Sequence, residues 1–207
     1  MASLSEGFSA GFMDRMHRPG NRGVEMTDEP LFLDCEASSL HSRDSYPIEV
    51  AWGRSGGEIE SHLINPYRYP AHWRDWDPAA QALHGLSRAY LRQHGEPPEH
   101  VAHRIEAALP GRAVYSDAAA FDNFWLGRLF EAVGRDCPVA CRPIDALLQA
   151  LFPRGQGIFY FDPETMTYAT LEKLCVQARI RCGKAPHRAA NDVAYLRTVY
   201  ALALERA

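Results

Sequence analysis

The sequence of 207 residues predicts an α/β fold, a mixed β-sheet flanked by α-helices. Three observations carry that expectation. Three short β-patterned segments follow one another with brief links in the first third of the chain. Beyond them helical periodicity alternates with short apolar strands. The composition, 46% hydrophobic and 23% charged, is that of a globular chain long enough to bury one sizeable core. A run of strands followed by helix–strand alternation packs as a sheet covered by helices.

Residues 1–28 carry Gly, Ser, Arg, Asp and Met with little periodicity, so they are expected to be a flexible arm, with Met26 as a candidate start; residues 29–207 then make one domain. From Pro30 the pattern sharpens. Leu31-Phe32-Leu33 runs into Asp34-Cys35-Glu36 as a short buried strand. Ile48-Glu49-Val50-Ala51-Trp52 alternates like a second strand, Gly53 to Gly57 supplies a turn, and Glu58 to Ile64 gives a third, so the three read as an antiparallel meander. Helical spacing follows over Pro78–His84 and over Glu99–Leu109, where Pro110-Gly111 stops it. Ala113-Val114-Tyr115 reads as a strand, Phe121–Val133 as a helix ended by Gly134, and Arg142-Pro143-Ile144 as a strand or turn. Asp145–Phe152, Thr170–Ile180 and Ala189–Leu204 read as the remaining helices.

The totals also exclude several classes. No apolar run approaches the roughly 18 residues of a membrane span, so no membrane association is expected. Met1–Met26 holds no continuous apolar segment of the secretory kind, which makes the cytoplasm the expected compartment. The five cysteines are odd in number, scattered and without CxxC or zinc-type spacing, and they read as reduced, mostly buried thiols. A net charge of −4 argues against a protein that coats nucleic acid. It leaves room for a short substrate gripped near one end with help from metal ions.

Asp34 and Glu36 stand two apart on the first strand, so both carboxylates leave the same face. Two anions brought together in an apolar setting repel and lose hydration, a cost that a cation between them removes. Hard oxygen ligands of this kind suit Mg²⁺ or Mn²⁺. Two solvated acids at a strand end would show the same spacing. Asp122 lies in line with Leu126, Leu129, Phe130 and Val133 on the Phe121–Val133 helix, and therefore faces the interior, where a bare carboxylate is out of place. An aspartate satisfied by the free amides of a helix start is the alternative. Asp192 repeats the placement on the last helix beside Ala189, Leu196 and Val199. His187 lies five residues before Asp192 and cannot share its helical face. It belongs to the loop after Gly183-Lys184-Ala185-Pro186, free to lean across a site as the proton acceptor for a water, unless it is one more surface histidine of nine.

Together these pieces resemble the DEDDh 3′–5′ exonucleases, the family of proofreading exonucleases, RNase T and oligoribonuclease. The segment Leu33-Asp34-Cys35-Glu36-Ala37-Ser38-Ser39-Leu40 is similar to the family's first motif and Ile48-Glu49 to a pair on its second strand. His84-Gly85-Leu86 is similar to its His-Gly-(Ile/Leu) element, Ala120-Phe121-Asp122 to its second motif, and His187-Arg188-Ala189-Ala190-Asn191-Asp192-Val193 to its third. The chain departs from the pattern at Ala37-Ser38-Ser39, where Thr-Gly is common, and at Ser116-Asp117-Ala118-Ala119, where His-Asn is usual; Asp117 adds an acid nearby.

The resemblance implies an RNase H-like fold and two divalent cations, Mg²⁺ or Mn²⁺, held by Asp34, Glu36, Asp122 and Asp192, with His187 as general base. The implied reaction releases 5′-nucleoside monophosphates from the 3′ ends of single-stranded DNA or RNA. Cys35, Ala37, Leu40, His84 and Phe121 are the implied substrate contacts, with Leu40 and Phe121 placed to wedge or stack against bases. A homodimer is an expectation from resemblance alone. Two other readings compete: a phosphodiesterase for dinucleotides and very short oligomers, which the missing basic face favours, and a non-catalytic adaptor, against which the intact set of five site residues argues. A 2-His-1-carboxylate oxygenase fits poorly, because His41 and Asp44 are misplaced for a facial triad.

Overall fold

The computed structural model describes residues 29–40, 43–68, 73–152, 159–162 and 167–207, and the arm expected over residues 1–28 lies outside them. Leu31–Ala37 (β1), Pro47–Arg54 (β2) and Ile59–Leu63 (β3) form the antiparallel meander read from the sequence. Val114–Ser116 (β4) and Cys141–Pro143 (β5) add in parallel beyond β1, so the sheet order is β3-β2-β1-β4-β5. The helices are Pro78–His84 (α1), Arg88–His94 (α2), Pro98–Ala108 (α3), Ala119–Ala132 (α4), Ile144–Leu151 (α5), Leu171–Cys182 (α6) and Ala189–Leu204 (α7). This is the mixed sheet with flanking helices that the alternation of patterns predicts.

Two elements escaped the sequence reading. α2 is only seven residues long and buries a single side chain, Leu91, so it shows no apolar stripe. Its start is set by Ser87, whose hydroxyl accepts the Tyr90 N–H. Its end rests on β3. A Cβ on Gly95 would stand 2.6 Å from the Leu91 carbonyl oxygen, 2.7 Å from the Asn65 nitrogen and 2.8 Å from the Ile64 carbonyl carbon, so only glycine lets these backbones meet. Just beyond, Ile64 and Glu96 close a parallel bridge. The other unforeseen element is a hairpin, Phe159–Asp162 (β6) with Thr167–Thr170 (β7), which pairs strand to strand outside the main sheet. Thr170, read as a helix start, ends β7 and stands at the N-cap position of α6 without a side-chain capping bond.

The core divides between the two faces of the sheet, and β1 shows how. Leu31, Leu33, Cys35 and Ala37 join one cluster with Val101, Ile105, Leu126 and Phe130 from α3 and α4. Phe32 points the other way, into a cluster with Leu148, Leu174, Leu196 and Tyr200 from α5, α6 and α7. Each such fully buried side chain contributes about 1.5–3 kcal/mol. Since side chains alternate, Asp34 and Glu36 follow Phe32 onto the face that α7 covers. All five cysteines are free as expected, but only Cys35 and Cys141 are buried; Cys137, Cys175 and Cys182 are partly exposed.

Candidate active site

The site begins where the parallel pairing of β1 and β4 stops. The register covers only Leu31 with Val114 and Phe32 with Tyr115, and the Leu31 N–H donates to the Ala113 carbonyl at 3.1 Å. Alternate amides of a strand face the same edge, so the Cys35 N–H points the same way, past the end of the ladder. It donates to Asp122 Oδ1 at 3.0 Å, while Asp122 Oδ2 accepts from the Ser116 hydroxyl. Asp122 is 1% exposed and sits on the first turn of α4. Its carboxylate therefore serves β1 and β4 rather than the free amides of its own helix. This residue docks α4 against the strand between the two acids.

Asp34, Glu36 and Asp192 converge in front of that junction. One oxygen of each lies within 4.8 Å of the others. Burial raises the Asp34 carboxyl well above the ordinary range, and the Asp122 and Glu36 charges push it further. Glu36 is raised to about 8 by burial first, then by Asp192 and Glu49, with Arg188 pulling the other way. Asp122 is raised by burial, against which its Ser116 hydrogen bond works. The fold thus holds acids together that resist ionising together. A converging set of carboxylate oxygens, with Arg179 on Asp192 and Arg188 near Glu36 as the nearby cations, fits a hard divalent cation.

Asp192 is also the anchor of the loop before α7. Its Oδ2 accepts the His187 N–H at 2.7 Å and the Arg188 N–H at 3.3 Å, and Arg179 reaches Oδ1 at 3.3 Å. Among the described residues His187 is the one non-glycine with positive φ, 64°, and these bonds hold it in that uncommon conformation. Its side chain is exposed, in the loop and off the helix, where the five-residue spacing to Asp192 places it.

Glu49 is the residue that sequence reasoning left without a role. It is 1% exposed and accepts from Arg188 Nε at 2.9 Å, Arg188 Nη2 at 3.0 Å, the Ala189 N–H at 3.2 Å and the Ser61 hydroxyl at 3.0 Å. It fastens β2 to the first turn of α7 and so fixes the height at which His187 and Asp192 stand. The Ile48-Glu49 pair marks it in the sequence, but its partner is 139 residues away and no spacing rule finds it.

The remaining candidates divide. Leu40 and Phe121 are exposed, and the Phe121 ring stacks on Trp125 at 5.6 Å. Cys35 and Ala37 turn their side chains to the opposite face of β1 from the acids, where both are buried, and burial pushes the Cys35 thiol well up. His84 is buried, and its Nδ1 accepts the Leu86 N–H at 3.0 Å across the left-handed Gly85, so its ring shapes that turn. Asp117 is on the exposed loop before α4, outside the converging trio; loss of hydration and then Asp192 raise its carboxyl. Ser38 and Ser39, in place of Thr-Gly, both donate to Asp75, at 3.1 and 2.7 Å, and tie the end of β1 to the segment leading into α1.

No family profile and no curated protein sequence matches the chain. Solved structures do. E. coli exonuclease I in complex with a dA16 oligonucleotide is 20% identical, with a TM-score of 0.61 over 86% of this chain and 41% of that one. The same enzyme in complex with a 5cy-dT13 oligonucleotide is 21% identical with a TM-score of 0.59 over 86% and 40%. A product-bound exonuclease I is 20% identical with a TM-score of 0.58 over 86% and 43%. The chain thus spans about two fifths of the length of these enzymes. Over that span it has the RNase H-like fold of exonuclease I.

Proposed function

We propose that this chain is a 3′–5′ exonuclease that uses two divalent cations, Mg²⁺ or Mn²⁺, to release 5′-nucleoside monophosphates from single-stranded ends. The observation that carries the reading is the convergence of Asp34, Glu36 and Asp192 within 4.8 Å, beside a buried Asp122. The exonuclease I fold supports it, as do the oligonucleotides held by the E. coli enzyme.

In this reading Asp34, Glu36, Asp122 and Asp192 hold the ions, which when bound supply charge stabilisation at the phosphate and a more acidic water. His187 accepts the proton of that water at its exposed imidazole and returns it to solvent. Asp192 does double duty, since the oxygen that fixes the His187 backbone belongs to a ligand. Leu40 and Phe121 meet the terminal bases, Cys35 and Ala37 meet substrate through the backbone of β1 because their side chains turn to its other face, and His84 holds the turn at Leu86.

The test uses 5′-labelled single-stranded DNA, RNA and a dinucleotide with Mg²⁺ or Mn²⁺, and wild type beside His187→Ala and Asp192→Ala. A 3′-end ladder lost in both variants is the expected result. Cleavage confined to the dinucleotide would favour the short-oligomer phosphodiesterase, a reading with which the net charge of −4 agrees. Absence of metal-dependent cleavage on every substrate would leave the adaptor.

A further inference from the structure

We propose that the face formed by α2 and the turn after β3 carries single-stranded nucleic acid toward the carboxylates. This rests on the proposed function and adds where the strand runs upstream of its 3′ end.

The face presents two aromatic rings beside cations. Tyr67 is 50% exposed; the Arg88 guanidinium lies 5.1 Å from its ring centroid and that of Arg92 5.9 Å. Tyr90 is 45% exposed, with its ring 4.3 Å from that of His94. Bases stack on such rings whatever their identity, and guanidinium groups beside them meet phosphates.

The backbone that carries Tyr67 is held in place. Tyr67 donates its N–H to Asn65 Oδ1 at 2.9 Å, and Asn65 Nδ2 donates to the Arg92 carbonyl at 2.9 Å. Asn65 is buried, and its own N–H donates to the Glu96 carbonyl at 2.8 Å. Arg88 donates to the carbonyls of Trp73 and Arg74 and lies 5.7 Å from the Trp76 ring. A buried amide thus braces an exposed tyrosine against α2, so little ordering remains for a ligand to impose.

Charge separates this face from the rest of an acidic chain. Residues 65–94 contain four arginines against two aspartates, while the whole chain carries −4. Both aspartates are engaged locally: Asp75 accepts from Ser38 and Ser39, and Asp77 from the Ala79 N–H. Elsewhere Arg104, Arg135 and Arg181 are neutralised by Glu60, Glu106 and Glu205, and Arg112 donates to the Ala108 carbonyl. Among the described residues no carboxylate pairs with Arg88 or Arg92. The face is also continuous with the site. Arg88 donates to the Arg74 carbonyl, and the next residue, Asp75, accepts from Ser38 and Ser39, which follow Glu36 at the end of β1.

The experiment measures KM and kcat on a series of 5′-labelled single strands from a dinucleotide to about 12 nucleotides, together with anisotropy binding of the longest strand without added divalent metal. Tyr67→Ala and Arg92→Glu should each raise KM and Kd for the long strand about tenfold, leave kcat and the dinucleotide unchanged, and Tyr67→Phe should behave as wild type. Arg92→Gln should also lower the slope of log Kd against log salt by about 0.7. If wild type cleaves but the variants bind and cleave every length as it does, the surface is wrong and the proposed function stands. If dinucleotide and long strand suffer equally, the variants have damaged the site or the fold, and the surface is likewise refuted. If wild type cleaves nothing, the proposed function falls; long-strand binding lost in Tyr67→Ala and Arg92→Glu would still uphold the surface, and binding that is absent or unchanged in them would overturn it.

Discussion

Glu36→Gln, which removes one of the proposed metal ligands, should stabilise the protein when metal is absent. The Glu36 carboxyl is raised from 4.5 to about 8 by burial, Asp192 and Glu49. With a folded-state pKa above the unfolded one, the native protein favours the protonated acid. The associated stability is full below about pH 4.5 and is lost as pH rises through about 8. At 1.36 kcal/mol per unit the whole shift corresponds to about 5 kcal/mol. The charges responsible are shared with neighbouring acids and the side chain is partly exposed, so about 2 kcal/mol is the share a single substitution should return. In a chain of this size that is roughly 4–8 °C in Tm. Thermal unfolding in EDTA should therefore show Glu36→Gln melting above wild type at about pH 9 and level with it at about pH 5. Mn²⁺ should then raise the wild-type Tm and do much less for the variant. A variant that melts below wild type at high pH in EDTA, or one that gains as much from Mn²⁺, would refute the account of the carboxylate cluster.

Other perturbations separate chemistry from scaffolding. His187→Ala should lower kcat by about 10²–10⁴-fold while keeping the Mn²⁺-induced rise in Tm; a rise lost together with activity would make His187 structural rather than the base. Glu49→Ala strands a partly exposed Arg188 and the Ala189 N–H, and should cost about 1–3 kcal/mol in urea unfolding. The double variant with Arg188→Ala should cost less than the sum of the two singles, and simple additivity would show that the pair is not coupled. Gly95→Ala places a methyl within 2.6–2.8 Å of three backbone atoms. It should destabilise by about 1–3 kcal/mol by denaturant titration, and an unchanged midpoint would mean that α2 and β3 part easily.

The parts of the fold that were legible in the sequence are those whose burial is periodic. The meander, α4 and α7 each show a face or stripe, and the i, i+2 spacing of Asp34 and Glu36 placed both on one side of β1. α2 was not legible because one buried leucine makes no pattern, and the β6–β7 hairpin because its four-residue strands pair only with each other. The candidate site divides in the same way. Local spacing located Asp34, Glu36, Asp192 and the loop position of His187. Helical phase turned Asp122 inward, but only the folded chain shows its carboxylate accepting from an amide 87 residues away. The Glu49–Arg188 pair belongs to this second class: two charges far apart in sequence become partners once an interior strand and a helix start are neighbours. The expected burial of most cysteines failed for those on helix surfaces and loops, where composition says nothing of position.

The bond from the Cys35 amide to Asp122 gives the protein a built-in reporter. A backbone proton between the two acids of β1 depends for its acceptor on a carboxylate that stands beside the converging trio. An ion that draws electron density from that carboxylate weakens the acceptor. The Cys35 amide resonance and its hydrogen-exchange rate then register occupancy without any label in the pocket. The same dependence runs in reverse: a fluctuation that pulls α4 from the strand withdraws Asp122, so under the proposed function separation of α4 from β1 and release of metal would be one event seen at a single N–H.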